Sequence, residues 1–219
     1  MGQKVNPISF RIGVNRNWDS RWFDLKNYAT LLLEDHALRE AITMHLKKAY
    51  VSRIEIERSS GEVKIIIKAA RPGMVIGRGG QGLEVLQKKL KPITKDQKVH
   101  LDVVEVRSPE ADAAVVAQNI ADQIERRFPF RRAISGALEA AKRANVKGIK
   151  ILVAGRLNGA DIARREKFSH GSVPAHTIKS NIDYALAEAQ TTYGTIGIKV
   201  WIHKSGQSEF LNTEKDVTA

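Results

Sequence analysis

The alternation of apolar and polar residues in the first half of the chain predicts helices and strands in a definite order. Apolar residues recur at helical spacing between about 28 and 49, and β-branched residues then dominate two predicted strands, 50–58 and 62–70. A short helix, a glycine-rich turn and a helix ending near 90 follow, and alternation at 98–106 predicts another strand. We therefore expect an α+β unit in which the glycine-rich turn lies between two helices.

Two helices and then several strands are predicted for the second half. Ser108-Pro109-Glu110 favours a helix start, because Ser caps free N–H groups, Pro fits the first helical position and the helix dipole stabilises an acid there. Pro129 ends this helix and begins a second one, which continues to about Asn145. Strands are expected at 149–154, 181–192 and 195–204, with a basic, glycine-punctuated loop at 155–165. The predicted arrangement is two helices packed on a mostly antiparallel sheet.

The glycine-rich turn is Gly77-Arg78-Gly79-Gly80, at the start of the helix that ends near 90. A helix N terminus presents unpaired N–H groups and the positive end of the helix dipole, and glycine has no Cβ to hold a phosphate away. We therefore predict that this quartet binds a phosphate backbone.

A dinucleotide-binding loop is an alternative interpretation of the same glycines. Gly77, Gly79 and Gly82 fit G-x-G-x-x-G, and Asp102 lies twenty residues beyond Gly82. In a dinucleotide site the glycines follow their strand directly, whereas residues 69–76 intervene here. Asp102 also lies on the polar side of an alternating strand pattern rather than at a strand end. The context therefore favours the phosphate-backbone interpretation, and no cofactor is predicted.

Charge indicates the class of partner. The chain has 36 Lys and Arg against 24 Asp and Glu, a formal net charge of +12 and a pI near 10.0. Such a chain is attracted to polyanions, with nucleic acid as the expected partner and an anionic membrane surface as the second possibility.

Basic residues concentrate around the helix that follows Pro129. Between 126 and 167 there are twelve basic residues and three acids, a net +9. In a helical projection Arg131, Arg132 and Lys142, with Arg143, fall within about 120°, and alanines and larger apolar residues cover the other side. Because such crowding is costly without a polyanion, we predict a nucleic-acid surface here rather than an ordinary solvated helix face.

The N-terminal segment, 1–16, is also basic, and Pro7 argues against an opening helix. Its composition fits equally a disordered arm and an extended tail that orders along RNA. Trp18, Trp22 and Phe23 follow closely. They could stack on bases, but we favour a role in pinning the arm onto the globular body.

The predicted RNA-binding residues are the glycine quartet and basic side chains from the regions described above. They are Lys4, Arg11, Gly77, Arg78, Gly79, Gly80, Arg126, Arg127, Arg131, Arg132, Lys142, Arg143, Lys147, Arg156, Arg164 and Arg165. No catalytic or metal-binding residue is predicted. The chain has no Cys, and none of its six His forms a helical metal pair. No paired carboxylates sit in an apolar pocket pattern, and no nucleophile elbow or Walker lysine occurs. We therefore expect that the protein is not an enzyme.

No apolar run is long enough to span a bilayer, and the basic start of the chain contains no signal-peptide core. Asn6 stands where a myristoylation site needs Ser or Thr. A cytoplasmic protein without a membrane partner is expected.

Motifs along the chain carry a resemblance to a known family. The G-x-x-G quartet and the order of elements around it resemble the type II KH domain, which binds nucleotide backbone. More specific are Gly2-Gln3-Lys4-Val5-Asn6-Pro7, Phe130-Arg131-Arg132-Ala133, Lys147-Gly148-Ile149-Lys150, Gly155-Arg156-Leu157-Asn158-Gly159-Ala160-Asp161-Ile162-Ala163-Arg164, Val173-Pro174-Ala175-His176-Thr177 and the segment 192–202. With these motifs the chain resembles the family of the third numbered protein of the bacterial small ribosomal subunit.

The resemblance implies a basic arm at 1–16, a type II KH domain at 17–106, an α/β C-terminal domain at 107–204 and a flexible tail at 205–219. It also implies a place in the head of the subunit, where the protein binds ribosomal RNA and lines the channel through which messenger RNA enters. The implied partners are ribosomal RNA, messenger RNA and neighbouring head proteins. Family members often have more basic residues one turn after Arg131 and Arg132, where this chain has Ser135 and Gly136. A free-standing KH regulator or GTPase appendage is the alternative.

Overall fold

The computed structural model describes residues 3–59, 61–94 and 98–205. The chain divides into two compact units. The central unit is Trp18–Arg107, and the terminal unit combines the segment up to Asn17 with the chain from Ser108 onward. The predicted tail, 205–219, lies outside the described residues apart from Ser205.

The central unit places three helices against a four-stranded sheet. The helices are α1 (Tyr28–His45), α2 (Pro72–Ile76) and α3 (Gln81–Leu90), and the strands are β1 (Ser20–Arg21), β2 (Val51–Ser59), β3 (Glu62–Ala69) and β4 (Lys98–Glu105). The sheet order is β1-β2-β3-β4, with β2 and β3 antiparallel and both outer pairs parallel. Apart from the two-residue β1, the order of elements predicted from the sequence is confirmed.

The core of the central unit follows from the two hydrophobic periods. Alternate residues of β3, such as Val63, Ile65 and Ile67, are fully buried, as are Leu38 and Ile42 one helical turn apart in α1. Leu86 and Leu90 bring α3 onto the same cluster. Because α3 is held on the core in this way, the glycine turn that precedes it has a fixed position.

A buried carboxylate explains why β1 forms although its sequence shows no strand pattern. Asp35 of α1 is fully buried and accepts hydrogen bonds from the Ser20 hydroxyl at 2.7 Å and the Trp22 indole at 2.8 Å. Arg58 of β2 pairs with the same carboxylate at 2.7 Å. Trp22 therefore anchors residues next to it in the central unit. The prediction that the aromatic residues fasten the N-terminal arm to the globular body is wrong for Phe23, because its side chain is 85% exposed.

The terminal unit has two helices and a second four-stranded sheet. They are α4 (Ala113–Glu125), α5 (Phe130–Arg143), β5 (Gly148–Gly155), β6 (Arg164–Gly171), β7 (Ile182–Thr191) and β8 (Gly194–His203). The sheet order is β6-β5-β8-β7, and every pair is antiparallel. Ile149, Ile198 and Ile202 point from the sheet into the core that α4 and α5 cover. The predicted architecture is confirmed.

Two local predictions in this unit are wrong. Pro109–Ala111 forms a separate 3-10 turn, and α4 begins later with Asp112 as its cap, whose carboxylate accepts from the N–H groups of Ala114 and Val115 at 3.0 and 3.2 Å. The C-terminal end of the predicted basic loop at 155–165 instead begins the strand β6. This edge strand is largely charged and exposed, so it lacks an apolar alternation.

Candidate RNA-binding surfaces

The glycine quartet forms an exposed turn between α2 and α3. Gly77 follows α2, Arg78–Gly80 is a 3-10 turn, and Gly80 is the N-terminal flanking residue of α3. Gly79 and Gly80 have φ of 60° and 84°, and a Cβ at either would meet nothing within 4 Å. Their backbone therefore requires glycine-like freedom while the space in front of them is open.

Close packing between α2 and α3 explains the remaining glycines of the pattern. A Cβ on Gly82 would lie 2.5 Å from the carbonyl oxygen of Val75, and one on Gly77 would lie 2.9 Å from the amide nitrogen of Gly82. Within the described residues, no side chain caps the N terminus of α3. The turn can therefore offer backbone N–H groups to a phosphate, with the exposed Arg78 side chain beside them.

The basic face of α5 lies opposite its buried face, as the projection predicts. Phe130, Ala133, Ile134 and Ala141 are buried. The four side chains of α5 that are predicted to bind RNA are exposed: Arg131, Arg132, Lys142 and Arg143. Ser135 and Gly136 are exposed as well and lie between the two basic pairs along the helix.

An acidic side chain connects α5 to the start of β6. Glu166 accepts from Arg164 at 3.0 Å and from Arg131 at 3.4 Å. Desolvation acts to raise the pKa of Glu166, but the hydrogen bonds and charges of Arg131 and Arg164 outweigh it and lower this pKa below its ordinary value. Glu166 thus stays ionised and holds two of the predicted RNA-binding arginines near each other.

The other predicted residues of this unit lie outside α5, at several places along the chain. Arg126 and Arg127 follow α4, and both are exposed, as is Lys147 before β5. Arg156 donates to the carbonyl oxygen of Ala160 at 2.9 Å and contacts Asp161 at 3.2 Å, so its guanidinium also stabilises its own loop.

Arg165 is exposed and opposes Ala154 on the sheet face away from the helices. Its neighbours in the sequence, Arg164 and Glu166, point to the helix side. The predicted basic residues of this unit therefore occupy both faces of the sheet and do not form a single surface.

Arg11 has a different environment from the one expected of an RNA contact. Its side chain is 2% exposed. Its guanidinium donates to backbone carbonyl oxygens of Pro7, Ala175, Thr177 and Ser180 at 2.8 to 3.0 Å, and to that of Pro174 at 3.5 Å. Burial lowers the pKa of Arg11 from its ordinary value. Its donors are already used within the protein, so we leave Arg11 out of the proposed RNA surface.

Further contacts fix the rest of the N-terminal segment, and the alternative of a disordered arm is wrong for residues 3–17. Asn15 donates to the carbonyl oxygen of Ile178 at 2.8 Å. Arg16 pairs with Asp183 at 3.0 Å, and Lys204 approaches the same carboxylate at 3.2 Å. Lys4, in contrast, is exposed. Arg11, Asn15 and Arg16 of this segment therefore stabilise the fold. Of the basic side chains at 3–17, only Lys4 is exposed.

Sequence reasoning missed three lysines on the helix-free face of the terminal sheet, Lys150, Lys167 and Lys199. The sequence contains the pattern that places two of them on this face, because Lys150 and Lys199 alternate with buried residues of β5 and β8. Lys167 lies on β6, which was not predicted as a strand.

Two further observations limit the chemistry. In the described part of the chain, no group of three or more His, Cys, Asp or Glu side chains could hold a metal ion. None of the helices described has the length and apolar character needed to cross a membrane.

The central unit has the order of elements of a type II KH domain, which is a class of RNA-binding domain, and an α+β domain follows it along the chain. A model of the KH domain matches residues 37–111, and a model described as Ribosomal protein S3, C-terminal domain, matches residues 120–202. Together they cover most of both units.

Similarity to individual proteins extends over nearly the whole chain. Small ribosomal subunit protein uS3 of Exiguobacterium sibiricum is 51% identical over 215 residues, which are 98% of this chain and 97% of that protein. The uS3 proteins of Bacillus cytotoxicus and Bacillus anthracis are 54% and 51% identical, over 93% and 98% of this chain and 93% and 96% of their own lengths. The chain belongs to the family of small ribosomal subunit protein uS3, a family of structural, non-enzymatic proteins.

Proposed function

We propose that this protein is a structural constituent of the head of the small ribosomal subunit, where it binds ribosomal RNA and contacts messenger RNA as it enters. Family membership supports a structural, ribosomal RNA-binding role in translation and does not favour a free-standing KH regulator. The observation that carries the proposal is identity of 51% over 98% of the chain, including both units.

The finer part of the proposal assigns messenger RNA to the basic face of α5. Arg131, Arg132, Lys142 and Arg143 are exposed along one side of a helix whose other side is locked in the core. A row of cations along a helix that is anchored in the core can contact several phosphates of a single strand. Such a surface favours single strands over a duplex only through its difference in affinity for the two.

The glycine quartet is assigned to an RNA phosphate backbone. Its open space, its positive φ values at Gly79 and Gly80 and the uncapped start of α3 support this role. Neighbouring proteins of the subunit head are further proposed partners, and the proposed location is the ribosome in the cytoplasm.

Sedimentation of the tagged full chain from a bacterial lysate through a sucrose gradient tests the proposal. We expect the protein in the fractions that contain small subunits and whole ribosomes. Treatment with a chelator that separates the subunits should move it entirely to the small subunit. A protein that stayed at the top of the gradient would instead support the free-standing regulator.

A further inference from the structure

Within the described part of the terminal unit, α4 and α5 cover one face of the sheet, and basic and aromatic side chains meet on the opposite face. Across β6, β5, β8 and β7 one row is formed by Ser169, Lys150, Trp201 and Tyr184. The adjacent row is formed by Lys167, Leu152, Lys199 and Leu186. We call these eight residues the sheet platform.

Aromatic rings form one end of the platform. The ring centroids of Trp201 and Tyr184 are 5.3 Å apart with an interplanar angle of 39°. The Lys150 ammonium lies 4.9 Å from the centroid of the Trp201 ring. Leu186, in the adjacent row, is 54% exposed, so this part of the sheet is open to solvent. Rings on an open sheet, with a cation beside them, are the arrangement that single-stranded RNA uses for base stacking.

Cations crowd the other part of the platform. Lys150 interacts with both Lys4 and Lys167; burial and then these neighbouring charges lower the pKa of Lys150. Lys199 occupies the adjacent row and is exposed, and Arg165 continues the basic surface along β6. A third row is formed by Arg165, Ala154, Gly197 and Glu188. Glu188 is the one acid in these three rows. A cluster of like charges is stabilised when a polyanion neutralises it.

We propose that the sheet platform binds a single-stranded RNA segment, with nucleobases stacking on Trp201 and Tyr184 and phosphates contacting Lys150, Lys167 and Lys199. This inference rests on RNA binding by the chain, the proposed function, but uses residues other than α5 and the glycine quartet. The charge of the platform favours an anion, and the paired rings favour nucleobases over an acidic protein segment.

Binding of a fluorescent single-stranded oligonucleotide to the full chain is the first test. It is measured in a background with Arg131→Glu and Arg132→Glu, so that the α5 surface contributes little. Trp201→Leu should weaken binding roughly five-fold or more, because a stacking ring is lost while an apolar side chain remains. Lys199→Glu should weaken binding and reduce the slope of log affinity against log salt by roughly 0.7.

Lys26→Glu is the matched control, since Lys26 is exposed in the central unit and gives the same change in charge. It should leave affinity within about two-fold of the background. Equal affinity for the background chain, Trp201→Leu and Lys199→Glu would overturn the platform. If the wild-type chain itself did not bind the oligonucleotide, RNA binding by the chain would fail and the platform with it.

Ultraviolet crosslinking in intact small subunits identifies the occupant directly. Nucleotide adducts on peptides from β7 and β8, at Tyr184 or Trp201, are the expected result. Chemical crosslinks from Lys150 and Lys199 to an acidic protein, without nucleotide adducts on these strands, would overturn the RNA assignment.

Discussion

Arg11 and Arg131 come from comparably basic stretches of chain, but the fold uses their guanidinium groups in opposite ways. Arg11 is 2% exposed and donates to backbone carbonyl oxygens of its own unit. The side chain of Arg131 is 69% exposed; it pairs with Glu166 at 3.4 Å, and its guanidinium lies 5.7 Å from the centroid of the Phe130 ring. A run of basic residues therefore identifies candidate phosphate contacts. A basic side chain whose donors already bind backbone carbonyl oxygens, as those of Arg11 do, is not available for phosphate.

Replacement of Arg11 should produce the largest effect. Arg11→Met leaves several buried carbonyl oxygens without donors and should lower the free energy of unfolding by about 4 kcal/mol, measured by urea denaturation. Arg11→Lys should lose more than half as much, because one ammonium cannot reach the carbonyls that the planar guanidinium joins. Lys4→Met, an exposed change in the same segment, should stay within about 0.5 kcal/mol. Arg11→Lys with unchanged stability but weaker RNA binding would contradict the contrast.

Asp183 should have the next largest effect, because it is paired with Arg16 and Lys204 and accepts the N–H of Ala113. Desolvation raises its pKa, but the charges of Lys204 and Arg16 outweigh this and lower the pKa below its ordinary 3.8. Asp183→Asn should therefore cost about 3 kcal/mol of unfolding free energy at pH 7.

The pH dependence of this difference has a defined sign. A carboxyl whose folded pKa is lowered contributes its full stability above the ordinary value of 3.8 and loses it as pH falls through the lowered pKa. The difference between wild type and Asp183→Asn should be constant from pH 7 to about pH 5 and should shrink below about pH 4. A difference that grew on acidification would contradict the ion-pair assignment.

Sequence periodicity predicted most of the fold and the outward basic face, but not the inward use of Arg11. The cores of β3 and α5 follow from local spacing, which a single sequence contains. Arg11 is buried by carbonyls at 174–180, more than 160 residues away in sequence, and no local pattern encodes that contact. The same limit applies to β1, which is held by Asp35 and Arg58, and to the charged edge strand β6.

The contrast between outward and inward residues also applies to two glycines around the quartet. A Cβ on Gly79 would point into open space, whereas a Cβ on Gly82 would meet the carbonyl oxygen of Val75. Arg78→Asp with Gly79→Asp should weaken single-stranded RNA binding about ten-fold at low salt by repelling phosphate. It should cost only about 1 kcal/mol in stability, since Asp tolerates the left-handed conformation. Gly82→Ala, the buried counterpart, should destabilise the central unit instead. Unchanged RNA affinity in the Asp double variant would remove the quartet from the RNA surface.

A smaller effect is expected for Arg131→Glu with Arg132→Glu, because the proposed ribosomal RNA contacts outside α5 would still hold the protein in the subunit. Assembly should be preserved, while translation through a stable messenger hairpin slows roughly two- to five-fold relative to unstructured messenger. Lys47→Glu with Lys48→Glu is the matched control, an exposed adjacent pair in the central unit. Equal rates through hairpins for wild-type and double-glutamate subunits of confirmed composition would contradict the proposed role of α5.

The smallest effect, and the one opposite in sign, is expected for Ser135→Lys. Ser135 is exposed between the two basic pairs of α5 and projects into the middle of their face, so a lysine there adds a phosphate contact without displacing a buried group. Translation through hairpins should become faster by less than about two-fold, with no change on unstructured messenger. Gly136→Ala separates charge from helix stability, because its Cβ would meet nothing within 4 Å. That variant should stabilise α5 by about 0.5–1 kcal/mol. If Gly136→Ala accelerated hairpin passage as much as Ser135→Lys, the stability of α5 rather than its added charge would be the cause. That outcome would contradict the proposal that a lysine at position 135 adds a phosphate contact.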